Sequence, residues 1–171
     1  GEGAGKDRKV AENIFRENRE DILDFLKRTF KGGFDRVLVC IGAGGGTGAG
    51  GGPVVVEIAH DLCQSYNIEA SDTDALVGSV VALPTRAEGS RVQQNAKQTA
   101  DILIKQSQAG TLSPLVILDN ERIKQIYPRL SVNQFWGTAN TSICSLFHLF
   151  NKIACQDSQY TAFDKADLDT I

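Results

Sequence analysis

An apolar run, a glycine-rich loop and a helical pattern follow one another without a break between Arg36 and Tyr66, and nothing else in the chain constrains the fold as tightly. Arg36-Val37-Leu38-Val39-Cys40-Ile41 is apolar after its first residue, the pattern of a parallel strand covered on both faces. Eight glycines then fall between positions 42 and 52. Glycine loses more backbone freedom on folding than any other residue, so this density predicts that something approaches the backbone closely. An anion held by backbone N–H groups at a helix N-terminus is the expected occupant. Pro53 stands where the helix is expected to begin, with Val55, Ile58, Ala59, Leu62 and Tyr66 as its buried stripe.

The same strand-then-helix alternation runs through the chain. Residues 8–30 predict one helix, with Val10, Ile14, Phe15, Ile22, Leu26 and Phe30 on one side and a stop at Lys31-Gly32-Gly33. Residues 67–75 are polar and predict a solvated excursion. A second buried strand over 76–83 ends at Pro84, and a loop to Ser90 leads into a helix through Val92, Ala96, Ala100 and Leu103. A third strand over 114–118 precedes a short helix around Ile123 and Ile126. The stretch 131–155 predicts a helix of about 37 Å, N-capped by Ser131, with Val132, Phe135, Ala139, Ile143, Leu146, Phe150 and Ile153 along one face. The fold class that follows is α/β: a Rossmann-like parallel sheet with right-handed crossovers and flanking helices, ending in a long helix. Ligands on such sheets bind at the carboxyl ends of the strands.

Composition narrows the function classes. The net charge of −3 offers no general attraction to nucleic acid or to an anionic membrane. There is no apolar run of about 18 residues, so no membrane span is expected. The first residues are not a signal peptide, and a cytoplasmic location is expected. Cys40, Cys63, Cys144 and Cys155 are scattered, so the expectation is inert core thiols in a reducing compartment, with no disulfide framework and no protein-held metal. His60 and His148 lie in helical stretches without partners at catalytic spacing and are read as structural.

Several phosphate loops can be separated by their residues. No Lys-Ser or Lys-Thr closes the glycine loop, and Gly3-Ala4-Gly5-Lys6 is followed by Asp7, so neither stretch is a Walker A loop. A dinucleotide fingerprint fits Gly46–Gly51 only loosely, and the next strand ends in Pro84 and Thr85 rather than an acid. A dinucleotide-binding oxidoreductase is therefore the weakest alternative. Gly44-Gly45-Gly46-Thr47-Gly48-Ala49-Gly50, in contrast, matches at every position the signature (Ser, Ala or Gly)-Gly-Gly-Thr-Gly-(Ser or Ala)-Gly of the tubulin/FtsZ family.

On this resemblance Gly44, Gly45, Gly46, Thr47 and Gly48 would hold the phosphates of GTP or GDP. Gly1-Glu2-Gly3-Ala4-Gly5 resembles the preceding family loop, in which the amides of Gly3, Ala4 and Gly5 would meet the terminal phosphate. The stretch from Pro84 to Glu88-Gly89 resembles the ribose loop, with Glu88 as the contact. Asp119-Asn120-Glu121-Arg122 resembles the turn where Asn120 would face guanine. Phe135-Trp136-Gly137-Thr138-Ala139-Asn140 resembles the start of the central helix, where Trp136 would stack on the base and Asn140 read its edge. The residue chemistry agrees: two amides offer donors and acceptors to guanine, and an indole offers a broad π-face. The plain alternatives are a turn residue at Asn120, a helix-surface residue at Asn140, a solvated acid at Glu88 and core packing for Trp136, since one of Phe135 and Trp136 must be buried.

In Ala162-Phe163-Asp164-Lys165-Ala166-Asp167 the resemblance matches Asp164 and Asp167 to two acids that enter the next subunit's site and polarise the attacking water. Ala162 departs from the family's Asn there, which bears on the rate, and a solvated acidic tail is the alternative. The resemblance covers residues 1–171 as part of a GTP-binding domain of the FtsZ-like or archaeal/bacterial tubulin-like branch. It implies that the first strands precede residue 1 and that an activation domain follows residue 171. The implied function is a GTP-binding and GTP-hydrolysing cytoskeletal protein, aided by Mg²⁺. It would self-associate head to tail into filaments, because a heterologous contact that does not close propagates. The alternative is a nucleotide-binding regulatory or structural module without turnover.

Overall fold

The computed structural model describes residues 3–66 and 76–154. The chain divides into two units, Gly1–Asp119 and Asn120–Ile171. In the first, strands β1 (Val37–Gly42), β2 (Val77–Leu83) and β3 (Leu115–Asp119) form one parallel sheet in the order β1-β2-β3. Helices α1 (Arg8–Glu17) and α2 (Arg19–Thr29) precede β1, α3 (Gly46–Ser65) follows it, and α4 (Ser90–Gln108) lies between β2 and β3. The register pairs Gly42 with Ala82 and Leu83 with Asp119. The carboxyl ends of the three strands are therefore level, and the loops after β1 and β2 leave from one edge.

The core forms where α3 and α4 cover a single face of the sheet. Val39, Ile41, Ala43, Val77 and Val81 pack with Val56, Ala59 and Cys63 of α3 and with Ala96 and Leu103 of α4. β1 therefore alternates: Val39 and Ile41 are buried, whereas Leu38 and Cys40 are exposed. The expectation of a strand covered on both faces is corrected here: among the described residues α3 and α4 pack on the Val39 and Ile41 face of β1, and the Leu38 and Cys40 face is exposed. Of the cysteines, Cys63 is buried, and burial pushes its thiol pKa up. Cys40 and Cys144 are exposed rather than core thiols, and Cys155 lies outside the described residues.

The expected helix over 8–30 is two helices. Asn18 ends α1 with ψ at 18°, and its side-chain amide donates to the Ile14 carbonyl at 2.8 Å, so the side chain competes with the helix ladder. The break also changes the buried face. Ala11 is buried on α1 with Phe15 beside it, while Val10 and Ile14 point to solvent. Outside this contact, Arg16 makes a two-pronged pair with Glu57 at 3.0 and 3.2 Å, and Arg19 joins Glu57 to Asp61. The hydrogen bond that Arg16 donates to Glu57 raises the Arg16 pKa.

Pro53 does not begin α3; it sits inside the helix, which starts at Gly46. A proline removes the N–H that would bond the carbonyl four residues back, here Ala49. That carbonyl is met instead by the Thr99 hydroxyl of α4 at 2.9 Å, with Thr99 fully buried. Gly52 before the proline has no Cβ to crowd the ring. The predicted excursion over 67–75 lies outside the described residues.

The second unit holds α5 (Asn120–Ile126) and α6 (Val132–Ala154). At the start of α6 the Ser131 carbonyl accepts from the N–H groups of Gln134 and Phe135, and the Gln134 side chain accepts from the Ser131 hydroxyl at 3.0 Å. Phe135 and Ala139 are buried, Ile143 is half-buried, and Leu146 and Leu149 are exposed, so burial fades along the helix. The side chains of Val132, Phe150 and Ile153 lie outside the described residues. Among the described residues no helix is long and apolar enough to cross a membrane.

Candidate functional site

The glycine loop turns from β1 into α3 through Ala43, Gly44 and Gly45, with Gly45 in the N-cap position at φ −78° and ψ 166°. The first intrahelical bond runs from Ala49 N–H to Gly45 carbonyl at 3.1 Å. The N–H groups of Gly46, Thr47 and Gly48 therefore have no intrahelical partner, no side chain caps them, and no acid sits in the first turn. Three amides and the positive end of a 20-residue helix face outward there, with the exposed Thr47 hydroxyl beside them.

The glycines serve two purposes. A Cβ at Gly48 would run into the Gly42 carbonyl, and one at Gly50 would run into the Arg8 carbonyl and stand 2.8 Å from Glu12 N. Gly51 and Gly52 are filled in the same way by Phe15 and Ile41. These positions are bare because α1 and the end of β1 press directly on α3. Gly45 differs: nothing lies within 4 Å of its absent Cβ. The expectation that the glycine density reflects a close ligand is thus corrected in part, since most of it reflects close packing of the protein on itself.

Two further loops close around the cradle. In the first, Ala4 and Asp7 lie against Gly46, at 3.0 and 2.8 Å from where its Cβ would be. Asp7 N–H donates to the Ala4 carbonyl at 2.7 Å, and Gly5 and Lys6 take left-handed φ values of 56° and 63°. The Asp7 carboxylate then caps α1 by accepting from Lys9 and Val10, and pairs with Arg91 at 3.3 Å. In the second loop, Pro84 packs on Gly44, and Glu88 closes the 3₁₀ turn Arg86–Glu88. Glu88 Oε1 accepts from Thr85 N–H at 2.7 Å and the Thr85 hydroxyl at 3.1 Å. One carboxylate oxygen is therefore committed to its own loop, while the residue stays exposed.

Two α4 side chains that the sequence reading passed over hold these loops. Buried Asn95 donates to the Lys6 carbonyl at 3.0 Å and to the Gly44 carbonyl at 3.2 Å, and Thr99 holds Ala49. The signal was present: both polar residues fall on the apolar stripe of Val92, Ala96 and Leu103.

In the first unit, then, Ala4 of the first loop lies against Gly46, Asn95 joins Lys6 to Gly44, and Pro84 of the Glu88 loop packs on Gly44. The other expected residues belong to the second unit or fall outside the described residues. Asn120 opens α5 in the second unit and is buried, Trp136 is 44% exposed, and Asn140 is exposed. Phe135 is the buried ring of its pair, edge-on to Trp136 with centroids 5.1 Å apart. Trp136 and Asn140 are four residues apart, hence on one face of α6. Gly1, Asp164 and Asp167 lie outside the described residues. Among the described residues no cluster of three or more His, Cys, Asp or Glu could hold a metal ion.

The sequence matches the tubulin/FtsZ family GTPase domain over residues 1–128. It is 31% identical over 140 residues to cell division protein FtsZ 1 of Pyrococcus furiosus, covering 82% of this chain and 32% of that protein. Among solved structures, an FtsZ dimer from M. jannaschii is 27% identical with a TM-score of 0.72, over 100% of this chain and 43% of the other. CetZ from Methanosaeta thermophila shares the fold at 23% identity and a TM-score of 0.75, over 99% and 42%. The chain thus spans about a third of the length of the curated relatives it matches. With signature, fold and family match in agreement, the chain belongs to the tubulin/FtsZ family and carries part of its GTPase domain.

Proposed function

We propose that this chain binds guanine nucleotide at the carboxyl edge of its sheet and hydrolyses GTP when a second subunit completes the site. The supporting observation is the open first turn of α3, with three amides lacking intrahelical partners and a bare Gly45, in a chain of the GTPase-domain family. Gly46, Thr47 and Gly48 hold phosphate oxygens, with the Gly3-Ala4-Gly5 loop as one wall. Glu88 reaches the ribose through Oε2, because Oε1 is engaged by Thr85. Asn120 and Asn140 read the guanine and Trp136 stacks on it, which disfavours adenine by leaving the buried Asn120 amide and the Asn140 amide mismatched to the base edge. Mg²⁺ comes with the triphosphate, held mainly by phosphate oxygens and water, and neutralises charge as the bond breaks.

Asp164 and Asp167 of the neighbouring subunit orient a water in line with the terminal phosphorus. The water oxygen bonds to phosphorus, GDP leaves, and inorganic phosphate is released. Assembly is head to tail into filaments in the cytoplasm. Equilibrium binding of GTP against NAD to the purified chain is the first test. Tighter NAD binding would replace this reading with the oxidoreductase one, and sedimentation with and without GTP tests assembly. A second reading, binding without turnover, is favoured by Ala162 where the family has Asn. Asp164→Ala separates the two: catalysis requires phosphate release to fall, and unchanged release leaves a binding module.

A further inference from the structure

We infer that Asn95 is the positioning residue of this site, a single buried amide that fastens the loop 3–6 to the glycine loop and holds Lys6 in a left-handed backbone. The inference rests on the nucleotide reading and deepens it. Asn95 is 6% exposed and lies on α4, far in sequence from both loops. Its Nδ2 carries two hydrogens, and two carbonyls stand within reach, Lys6 at 3.0 Å and Gly44 at 3.2 Å. One NH₂ group therefore joins the loop before α1 to the loop before α3.

What it fastens is costly to hold. Lys6 has φ 63°, a left-handed value unfavourable for any residue with a Cβ. The Lys6 carbonyl in that conformation turns toward α4 and meets Asn95. The same loop lies against Gly46, the first residue of the turn that offers its amides outward. Letting the loop go would open one wall of the cradle and displace the amides of Gly3, Ala4 and Gly5, although Asn95 itself touches no nucleotide in the proposed reading. The Asp7–Arg91 pair also ties this loop to α4, but both side chains are well exposed, so it is the weaker tie.

Asn95→Asp keeps the volume, removes both donors and sets a carboxylate against two carbonyl oxygens. Asn95→Ser is the milder variant should the first fail to fold. Hydrogen exchange, read by mass spectrometry without nucleotide, is expected to quicken about tenfold or more in peptides covering 3–7 and 43–48, and to stay unchanged in β2. GTP affinity is expected to fall about tenfold in the same variants. Lys6→Gly makes the left-handed backbone easy to adopt, so in that background the effect of Asn95→Ser on affinity shrinks to about threefold or less. A residue that merely fills space would show no such dependence on position 6. Unchanged exchange over 3–7, or an Asn95→Ser loss of full size in the Lys6→Gly chain, overturns the inference. A wild-type chain that binds no guanine nucleotide refutes the proposed function instead, and the exchange measurement still decides the role of Asn95.

Discussion

Replacing Thr99 with valine removes one hydroxyl and almost no volume, and is expected to cost about 1–3 kcal/mol of stability. The residue is 0% exposed, so water cannot substitute for the lost group. The Ala49 carbonyl has lost its regular helix partner because residue 53 is a proline, and the Thr99 hydroxyl stands 2.9 Å away. The hydroxyl is also 2.9 Å from the Asn95 carbonyl. That second carbonyl already receives the ordinary i+4 bond within α4, so the single proton is worth more at Ala49. The companion variant is Pro53→Ala, which returns an N–H to α3. It also removes part of a buried ring, so its own stability change carries a cavity cost and is not diagnostic. The double-mutant cycle is. Urea unfolding followed by far-UV circular dichroism, at matched m-values, should give a coupling of at least about 1 kcal/mol, with Thr99→Val much less harmful once residue 53 has an N–H. A coupling within about 0.3 kcal/mol of zero would refute the compensation and assign the proton to Asn95.

Two glycines in the same loop should respond in opposite ways. Gly50→Ala drives a methyl into the Arg8 backbone and is expected to cost about 3 kcal/mol in urea unfolding, the upper end for overpacking. Gly45→Ala has open space and an extended backbone, so stability should change by less than about 0.5 kcal/mol while GTP affinity falls about tenfold. The Cys63 thiol, raised by burial above its usual 9.0, stays protonated in the fold after an unfolded chain has begun to ionise. Stability is therefore expected to fall as the pH rises through about 9, less steeply in Cys63→Ala, as read from urea midpoints across that range. Glu57→Gln loosens Arg16 and Arg19 together, but all three side chains are at least a third exposed or nearly so. The expected loss is about 1 kcal/mol or less at low salt, shrinking as salt is added.

The strands were legible in the sequence to within a residue as unbroken apolar runs, 36–41 becoming Val37–Gly42 and 114–118 becoming Leu115–Asp119, although one face of β1 is exposed and β3 is only half-buried. The start of α3 was not legible. Proline usually opens a helix, and only a tertiary partner such as Thr99 makes an interior proline tolerable, so local rules put the boundary seven residues late. The division at Asn18 was hidden for a related reason: an asparagine inside a helical period costs little by propensity, and its side-chain bond to Ile14 decides the outcome. Residues that contact the cradle directly were readable from the signature. Asn95 and Thr99, which hold it, appeared only as polar interruptions of an apolar stripe, and their partners are more than 40 residues away.

Those two side chains alter what the signature itself implies. A run such as Gly44–Gly50 invites the reading that each glycine exists for the ligand, yet Gly44, Gly46, Gly48 and Gly50 each face protein atoms that a Cβ would strike. They let Val92, the Ala4–Asp7 loop, the end of β1 and α1 close onto one helix terminus. In the proposed reading the anion cradle follows from that closure, with exposed Gly45 leaving open space at the N-cap of α3. Nucleotide affinity should therefore track the integrity of this junction, including residues that never touch phosphate. Turnover should depend on Asp164 and Asp167 supplied by another subunit. Variants at Asn95 and at Asp164 are accordingly expected to separate binding from phosphate release: the first weakens GTP binding, and the second lowers the release rate at saturating GTP. If both moved affinity alone, the chain would be a nucleotide-binding module, and the glycine signature would report a folding junction rather than a catalyst.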